Sequence, residues 1–74
     1  MFSQKIMREN PDKDIVYFRN AYENAVMRHV KGEGIYIKFK GEKEFYAHIN
    51  NGVVADAIIE STVDYIDKET YDNW

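Results

Sequence analysis

The 74-residue chain contains no cysteine, and leucine, normally among the commonest residues, does not occur at all. Without cysteine the chain can form neither a disulfide framework nor a thiolate zinc site, so its stability has to come from packing or self-association. This length allows one domain at most, near the size at which a single core only just outweighs chain entropy. A hydrophobic content of 45% and an aromatic content of 15% are typical of a folded protein.

Long apolar runs are also missing from the sequence. No stretch approaches the length of a membrane span, and the opening residues, MFSQKIMREN, lack the apolar region of a signal peptide. We therefore expect a cytoplasmic protein. Frequent Ile, Lys, Asn, Tyr and Phe, with seven Lys against three Arg, indicate an AT-rich genome, as in many small bacteriophages and mobile elements.

Charge of both signs is present but unevenly spread. Residues 1–52 carry nine basic and seven acidic residues, whereas residues 53–74 carry one lysine and six acids, for a net charge of −3. Such asymmetry bears on partners and solubility rather than on fold. A chain with a pI near 5.3 is not expected to bind nucleic acid over its whole surface.

The first half of the chain has the pattern of an amphipathic helix. Asn10-Pro11-Asp12 combines a capping asparagine, a proline at the first helical position and an acid against the helix dipole. Six apolar or aromatic residues then recur at three- and four-residue spacing: Ile15, Phe18, Tyr22, Ala25, Val26 and His29. With Lys31-Gly32 as its end, the pattern predicts a helix over residues 11–31.

A β-hairpin is predicted over residues 34–49, GIYIKFKGEKEFYAHI, because its residues alternate. One face would carry Ile35, Ile37, Phe39, Phe45, Ala47 and Ile49, and the other Tyr36, Lys38, Lys40, Glu44, Tyr46 and His48. A two-residue Gly41-Glu42 turn would mix these faces. A loop over residues 41–43 keeps them apart and pairs Phe39 with Phe45, so this register is preferred.

A second helix is predicted after Gly52, ending near residue 67 or 68, because the apolar residues of VVADAIIESTVDYID share one half of a helical wheel. The β-branched content of this segment would also suit a strand, but the periodicity favours a helix. The sequence thus predicts a single α+β domain of α-β-β-α order, with two helices on one face of the hairpin. Residues 1–9 would form a short helical turn or an edge strand, and the tail 69–74 could fold back through Trp74.

The predicted second helix suggests a protein-binding surface. Four acidic residues, Asp56, Glu60, Asp64 and Asp67, fall within about 80° of one another on its polar side. They could dock on a basic partner, in the manner of a small regulator or inhibitor, or they could be a solvated face that keeps the domain soluble. Exposed acids on one helix do not surround an ion, so no metal is expected there.

The polar face of the hairpin supplies the alternative function. Its rings and cations, Tyr36, Lys38, Lys40, Tyr46 and His48, resemble in kind the surfaces that stack and hold single-stranded nucleic acid. The same residues also form cross-strand pairs that stabilise a hairpin without any ligand, and the aromatics could equally contact a partner subunit.

Catalysis has no positive signal in the sequence, and we expect neither enzymatic activity nor a cofactor. His29 lies within an apolar pattern and is expected to pack and to hydrogen-bond a carbonyl, and it forms no recognisable metal site with His48. Val16 and Met27 fall outside the main apolar arc of the first predicted helix, where they would form a dimer patch or be covered by Phe2, Ile6 and Met7. Open hairpin edges and a small core further favour a homodimer.

Overall fold

In the computed structural model, which describes residues 2–48, 51–59 and 62–74, five strands form one antiparallel sheet accompanied by three helices. The strands are β1 (Ile15–Asn20), β2 (Ala25–Val30), β3 (Gly34–Phe39), β4 (Phe45–Ala47) and β5 (Asp64–Tyr65), and the helices are α1 (Phe2–Glu9), α2 (Gly52–Ile59) and α3 (Lys68–Asp72). The order across the sheet is β4-β3-β2-β1-β5, a four-stranded meander with β5 added beside β1. The predicted α+β class is confirmed, whereas the predicted α-β-β-α order is wrong.

The predicted helix over residues 11–31 is instead the β1–β2 hairpin. Val16 pairs with His29, and Phe18 pairs with Met27. These four side chains are buried and alternate with more exposed residues along β1, as in a strand with one face against a core. The helical spacing read from the sequence therefore mixed residues from both faces of a sheet and from the turn.

Two asparagines mark turns around this hairpin. Asn10 does not cap a helix that follows it; the N–H of Lys13 donates to the Asn10 carbonyl at 3.2 Å, which closes a turn around Pro11. Asn24 ends the turn between β1 and β2 with φ of 53°, a left-handed conformation that asparagine adopts more readily than most residues.

The predicted hairpin over residues 34–49 is present as β3 and β4, with a different register. Ile37 lies opposite Phe45, and Ile35 lies opposite Ala47, so the pairing is displaced by two residues from the predicted one. A displacement of two leaves every side chain on its predicted face, because side chains alternate with period two. The predicted pairing of Ile35 with Ile49 involves a residue outside the described part of the chain.

The second predicted helix is real but ends early, at Ile59. It starts where the side chain of Asn51 accepts hydrogen bonds from the backbone N–H groups of Val53 and Val54, at 3.0 and 3.2 Å. Near its end the carbonyl of Ile58 accepts a hydrogen bond from Lys5 Nζ at 2.8 Å. The residues predicted as its last two turns include strand β5 and the start of α3.

The core lies on one face of the sheet, called here the inner face, beneath α1 and α2. Its buried cluster combines strand residues with Ile6 of α1 and three residues of α2, Val54, Ala57 and Ile58. The opposite or outer face is covered in part by α3, which contacts β2. The helices thus lie on both faces of the sheet. Of the two helices predicted to cover one face, the first is the β1–β2 hairpin, so the predicted packing is not confirmed. In the described residues no helix combines the length and apolar character needed to cross a membrane.

Candidate functional site

The four acidic residues predicted to share one helical face do not do so. Asp56 lies on α2, Asp64 on β5 and Asp67 immediately before α3, while Glu60 lies outside the described residues. Asp67 caps α3, because its side chain accepts a hydrogen bond from the Thr70 N–H at 2.8 Å, and this bond lowers the pKa of Asp67. The prediction that these acids share one face of a single helix is therefore wrong.

Asp56 and Asp64 nevertheless face the same cleft. This cleft has a volume of about 440 Å³ and lies between the β1–β2 turn, the end of α2 and the start of β5. Tyr22 lines it from the turn, and Ile59 lines it from the last position of α2. The cleft thus joins two carboxylates to two large apolar side chains, a combination that suits a ligand with both a cationic and an apolar part.

One buried asparagine holds the two sides of the cleft together. The Asn20 side chain accepts a hydrogen bond from the Glu23 N–H in the β1–β2 turn, at 3.2 Å. Its amide donates to the carbonyl of Val53, at the beginning of α2, at 3.0 Å. Because a buried amide is costly to leave unpaired, these two bonds fix the turn relative to the helix.

The charges of the cleft are not balanced. Arg19 Nε donates to Asp64 at 2.8 Å, an ion pair whose two side chains are both partly exposed. Asp56 is exposed on the α2 side of the cleft. Two carboxylates therefore stand against one guanidinium, so the cleft favours a cationic group.

Tyr22 and Ile59 are the residues that the sequence analysis missed. Their exposed fractions are 95% and 74%, the largest among the large apolar side chains in the described residues. Both lie on the apolar sides of the predicted helices. The signal available in the sequence was the run Asn20-Ala21-Tyr22-Glu23-Asn24, since two asparagines around a short segment are typical of a turn.

The predicted aromatic and basic face lies on the outer face of the sheet and divides into two parts. Tyr36, Tyr46 and His48 form one part; the Tyr36 and Tyr46 ring centroids are 5.5 Å apart, and those of Tyr46 and His48 are 6.3 Å apart, both edge to face. Tyr46 and His48 are exposed. This part remains accessible as a small aromatic surface.

Lys38 and Lys40 form the other part and contact the C-terminal segment. Lys38 Nζ lies 4.6 Å from the centre of the Tyr71 ring, and Lys40 Nζ lies 4.3 Å from that of Trp74. Trp74 also donates through its indole N–H to the carbonyl of Asn24 at 3.0 Å, so the predicted return of the tail onto the body is observed. Both lysines are therefore engaged in cation–π contacts, so their ammonium groups are less accessible to a phosphate.

A small polar network anchors α3 beneath these contacts. Arg28 donates two hydrogen bonds to Glu44, at 2.6 and 3.2 Å, and Tyr71 donates its hydroxyl to the same carboxylate. The guanidinium of Arg28 lowers the pKa of Glu44, whereas burial raises the pKa of Tyr71 far above its ordinary value. This network ties α3 to β2 and to the loop before β4, and it pairs one guanidinium with one carboxylate.

The remaining predicted residues lie in the core. Val16 and Met27 are buried between the sheet and the helices, together with Ile6 of α1, so they do not form an exposed dimer patch. Of the residues expected to cover them, Ile6 belongs to the same buried cluster, whereas Met7 is 41% exposed. His29 is also buried, on the inner face of β2, and burial lowers its pKa.

The comparisons add no family to these observations. A scan against protein-family models gave no match, and neither curated proteins nor solved structures gave one. Among the residues described by the structure, no three acidic, histidine or cysteine side chains are grouped as they would be around a metal ion. The cleft is therefore interpreted from its own chemistry.

Proposed function

We propose that this protein is a small binding module that acts as a regulator or inhibitor, and that it takes a basic segment of a partner protein into the cleft between the β1–β2 turn and α2. The observation that carries the proposal is the position of Tyr22 and Ile59, both highly exposed, beside Asp56 and Asp64. The partner segment would place Lys or Arg against the carboxylates and an apolar side chain against the tyrosine and isoleucine.

The apolar pair would supply most of the affinity. Burying an isoleucine side chain fully is worth about 1.5–3 kcal/mol, whereas an exposed ion pair contributes about 0.2–1 kcal/mol. Carboxylates at the rim would instead raise the association rate and reject acidic segments. Affinity should therefore depend chiefly on Ile59 and Tyr22, and salt dependence chiefly on Asp56.

The test is capture of a partner from bacterial lysate, with and without nuclease treatment, by the immobilised protein over a salt series. We expect Ile59→Ser to reduce the captured protein at least about tenfold, as loss of a central interface residue does. Asp56→Lys should reduce capture most at low salt, because it reverses a charge in the cleft. Glu42→Lys makes the same charge change in the exposed β3–β4 loop and should capture as the wild type does.

Two results would contradict the proposal. Equal capture by Ile59→Ser, Asp56→Lys and the wild type, with folding verified by circular dichroism, would remove the cleft as the binding surface. Capture that disappears after nuclease treatment would indicate nucleic-acid binding, for which the outer face around Tyr36 and Tyr46 is the alternative surface. In that case Tyr46→Ala, and not Ile59→Ser, should weaken retention.

A further inference from the structure

Strand β4 leaves one edge of the sheet open. It stands at the end of the strand order and, within the described residues, pairs with β3 alone. Natural proteins guard such an edge with lysine, proline, a bulge or a very short strand, because its backbone N–H and C=O groups can accept a further strand. The three residues of β4, Phe45, Tyr46 and Ala47, include neither a charge nor a proline.

Large side chains stand on both faces of this open edge. Phe45 lies on the inner face, 44% exposed, with its ring stacked on Phe39 at a centroid distance of 6.1 Å. Tyr46 lies on the outer face, 50% exposed, and packs over Gly34 and against Tyr36. An added strand would therefore gain apolar contacts above and below its backbone hydrogen bonds.

We propose that β4 pairs in an antiparallel manner with β4 of a second copy of this chain, about a two-fold axis that passes by Tyr46. The two five-stranded sheets would then form one continuous sheet. In this register Tyr46 lies opposite Tyr46 of the second copy, and Phe45 lies opposite Ala47. Glu44 lies opposite His48, one residue beyond the strand on each side.

The residues that meet in this register complement one another, as a two-fold interface requires. The large ring of Phe45 meets the small side chain of Ala47, which leaves room for the ring on the inner face. The Phe45–Ala47 pair occurs twice, once on each side of the axis, which favours a second copy over an unrelated strand.

The arrangement of the helices leaves room for the second copy. α2 packs against β1, which lies near the other edge of the sheet from β4, and α1 packs against α2. The inner face near β4 is therefore less covered, which is consistent with the exposure of Phe45. Joining two copies would cover this ring and close the open edge at the same time.

Sedimentation equilibrium over a concentration series tests the dimer. We expect a mass that rises with concentration from 8.8 kDa to twice that value. Phe45→Lys puts a charge on the edge and should shift association to at least about tenfold higher concentration, since charged residues are a natural guard of edge strands. Tyr22→Lys, on the β1–β2 turn and separated from β4 by β3 in the strand order, is the matched control and should associate as the wild type does.

A second measurement tests the register directly. Because the chain has no cysteine, Tyr46→Cys introduces a single thiol. Residues directly opposite each other in an antiparallel pair have Cβ atoms about 4.5–5.5 Å apart, close to the separation that a disulfide needs. Mild oxidation should therefore link most of the Tyr46→Cys chains in pairs, whereas Tyr22→Cys should remain largely unlinked.

The proposal is overturned by a mass that stays at that of one chain, by a dimer that Phe45→Lys leaves intact, or by Tyr46→Cys linking no faster than Tyr22→Cys. The proposal does not depend on the partner cleft. Tyr22→Lys should weaken partner capture while leaving the dimer in place, so failure of one proposal is distinguishable from failure of the other.

Discussion

At the scale of single residues, Gly34 and Tyr46 are fitted to each other on the outer face of the sheet. The tyrosine hydroxyl donates to the carbonyl of Glu33 at 3.3 Å, and its ring lies over Gly34. A Cβ atom at Gly34 would lie 2.6 Å from the Tyr46 oxygen, and Gly34 has φ of 130°, which side chains other than hydrogen rarely allow. Two independent constraints therefore require glycine here.

Gly34→Ala should lower the free energy of unfolding by about 1–3 kcal/mol, because it combines an unfavourable backbone conformation with a contact that Tyr46 must relieve. Urea denaturation measures the change. Gly52→Ala, at the start of α2 with open space around the added carbon, should leave the value unchanged or raise it by less than about 1 kcal/mol. Equal behaviour of the two variants would contradict the close fit at Gly34.

At the scale of elements, α3 depends on its contacts with the sheet. Its five residues, Lys68–Asp72, are too few for a stable isolated helix. Tyr71 is buried, with its ring centroid 5.2 Å from that of Tyr17 and its hydroxyl bound to Glu44. After α3, Trp74 also contacts the sheet, because its indole N–H donates to the carbonyl of Asn24.

Tyr71→Ala should release α3 and lower the free energy of unfolding by about 3–5 kcal/mol, as truncation of a buried aromatic does. Tyr71→Phe keeps the ring and removes the bond to Glu44, so we expect a loss of about 1–2 kcal/mol. The single tryptophan reports the same event, because release of α3 should shift Trp74 fluorescence to longer wavelength.

Asp72→Asn provides the control for α3. Asp72 is in the same helix but pairs with Lys68 at the surface, at 2.6 Å, and exposed pairs of this kind contribute little. This variant should change neither stability nor fluorescence by much. Unchanged Trp74 emission in Tyr71→Ala would mean that Tyr71 does not hold the C-terminal segment on the sheet.

The elements also show what the sequence could predict. Strict alternation over β3 and β4 correctly assigned side chains to the two faces of their hairpin, because a period of two has few competing explanations. The register that follows from the preferred loop over residues 41–43 was wrong by two residues. Nothing in the local pattern opposes such a shift, since it preserves both faces.

The β1–β2 hairpin was missed for a different reason. Two six-residue strands joined by a four-residue turn place Phe18, Tyr22 and Val26 at helical spacing, although they lie on the inner face, in the turn and on the outer face. The alternation of Val16, Phe18 and Asn20 is instead typical of a strand. The pairing of β2 with β3 favours the hairpin over a helix. Tertiary pairing of this kind overrides local propensity.

The candidate site was predicted only in part. Asp56 and Asp64 do lie near each other, but pairing of β5 with β1 brings Asp64 there, and not one helical face. The exposure of Tyr22 and Ile59 followed from the turn and the helix end, both of which had been read as the interior of longer helices. Sequence periodicity could therefore propose an acidic surface but could not place its apolar residues.

At the scale of the whole molecule, stability should depend on pH through His29 in the inner layer and through Glu44 in the outer layer, with Asp67 as a further acid whose pKa is lowered. Burial lowers the pKa of His29 from its ordinary value of 6.5, and the guanidinium of Arg28 lowers that of Glu44 from 4.5. In each case the unfolded chain binds the proton more tightly than the folded chain does. Each group therefore contributes stability above its unfolded pKa, and this contribution is lost as pH falls through the folded pKa.

The free energy of unfolding should thus fall in two successive ranges, first below about pH 6.5 through His29 and then below about pH 4.5 through Glu44. Urea denaturation at a series of pH values measures this profile. His29→Met should remove the loss of stability that begins below about pH 6.5 and leave the loss below about pH 4.5. Glu44→Gln should lower the free energy of unfolding at pH 7 and reduce its further fall below about pH 4.5.

Differences between wild type and variant profiles isolate the two groups, because the other acids contribute equally to both proteins. The two side chains lie on opposite faces of the sheet, His29 toward the core and Glu44 beneath α3, so their effects should be nearly additive in the double variant. A difference profile for His29→Met that is flat between pH 7 and 5 would contradict a buried neutral imidazole. A flat difference for Glu44→Gln below pH 5 would likewise contradict the ion pair with Arg28 as a source of stability.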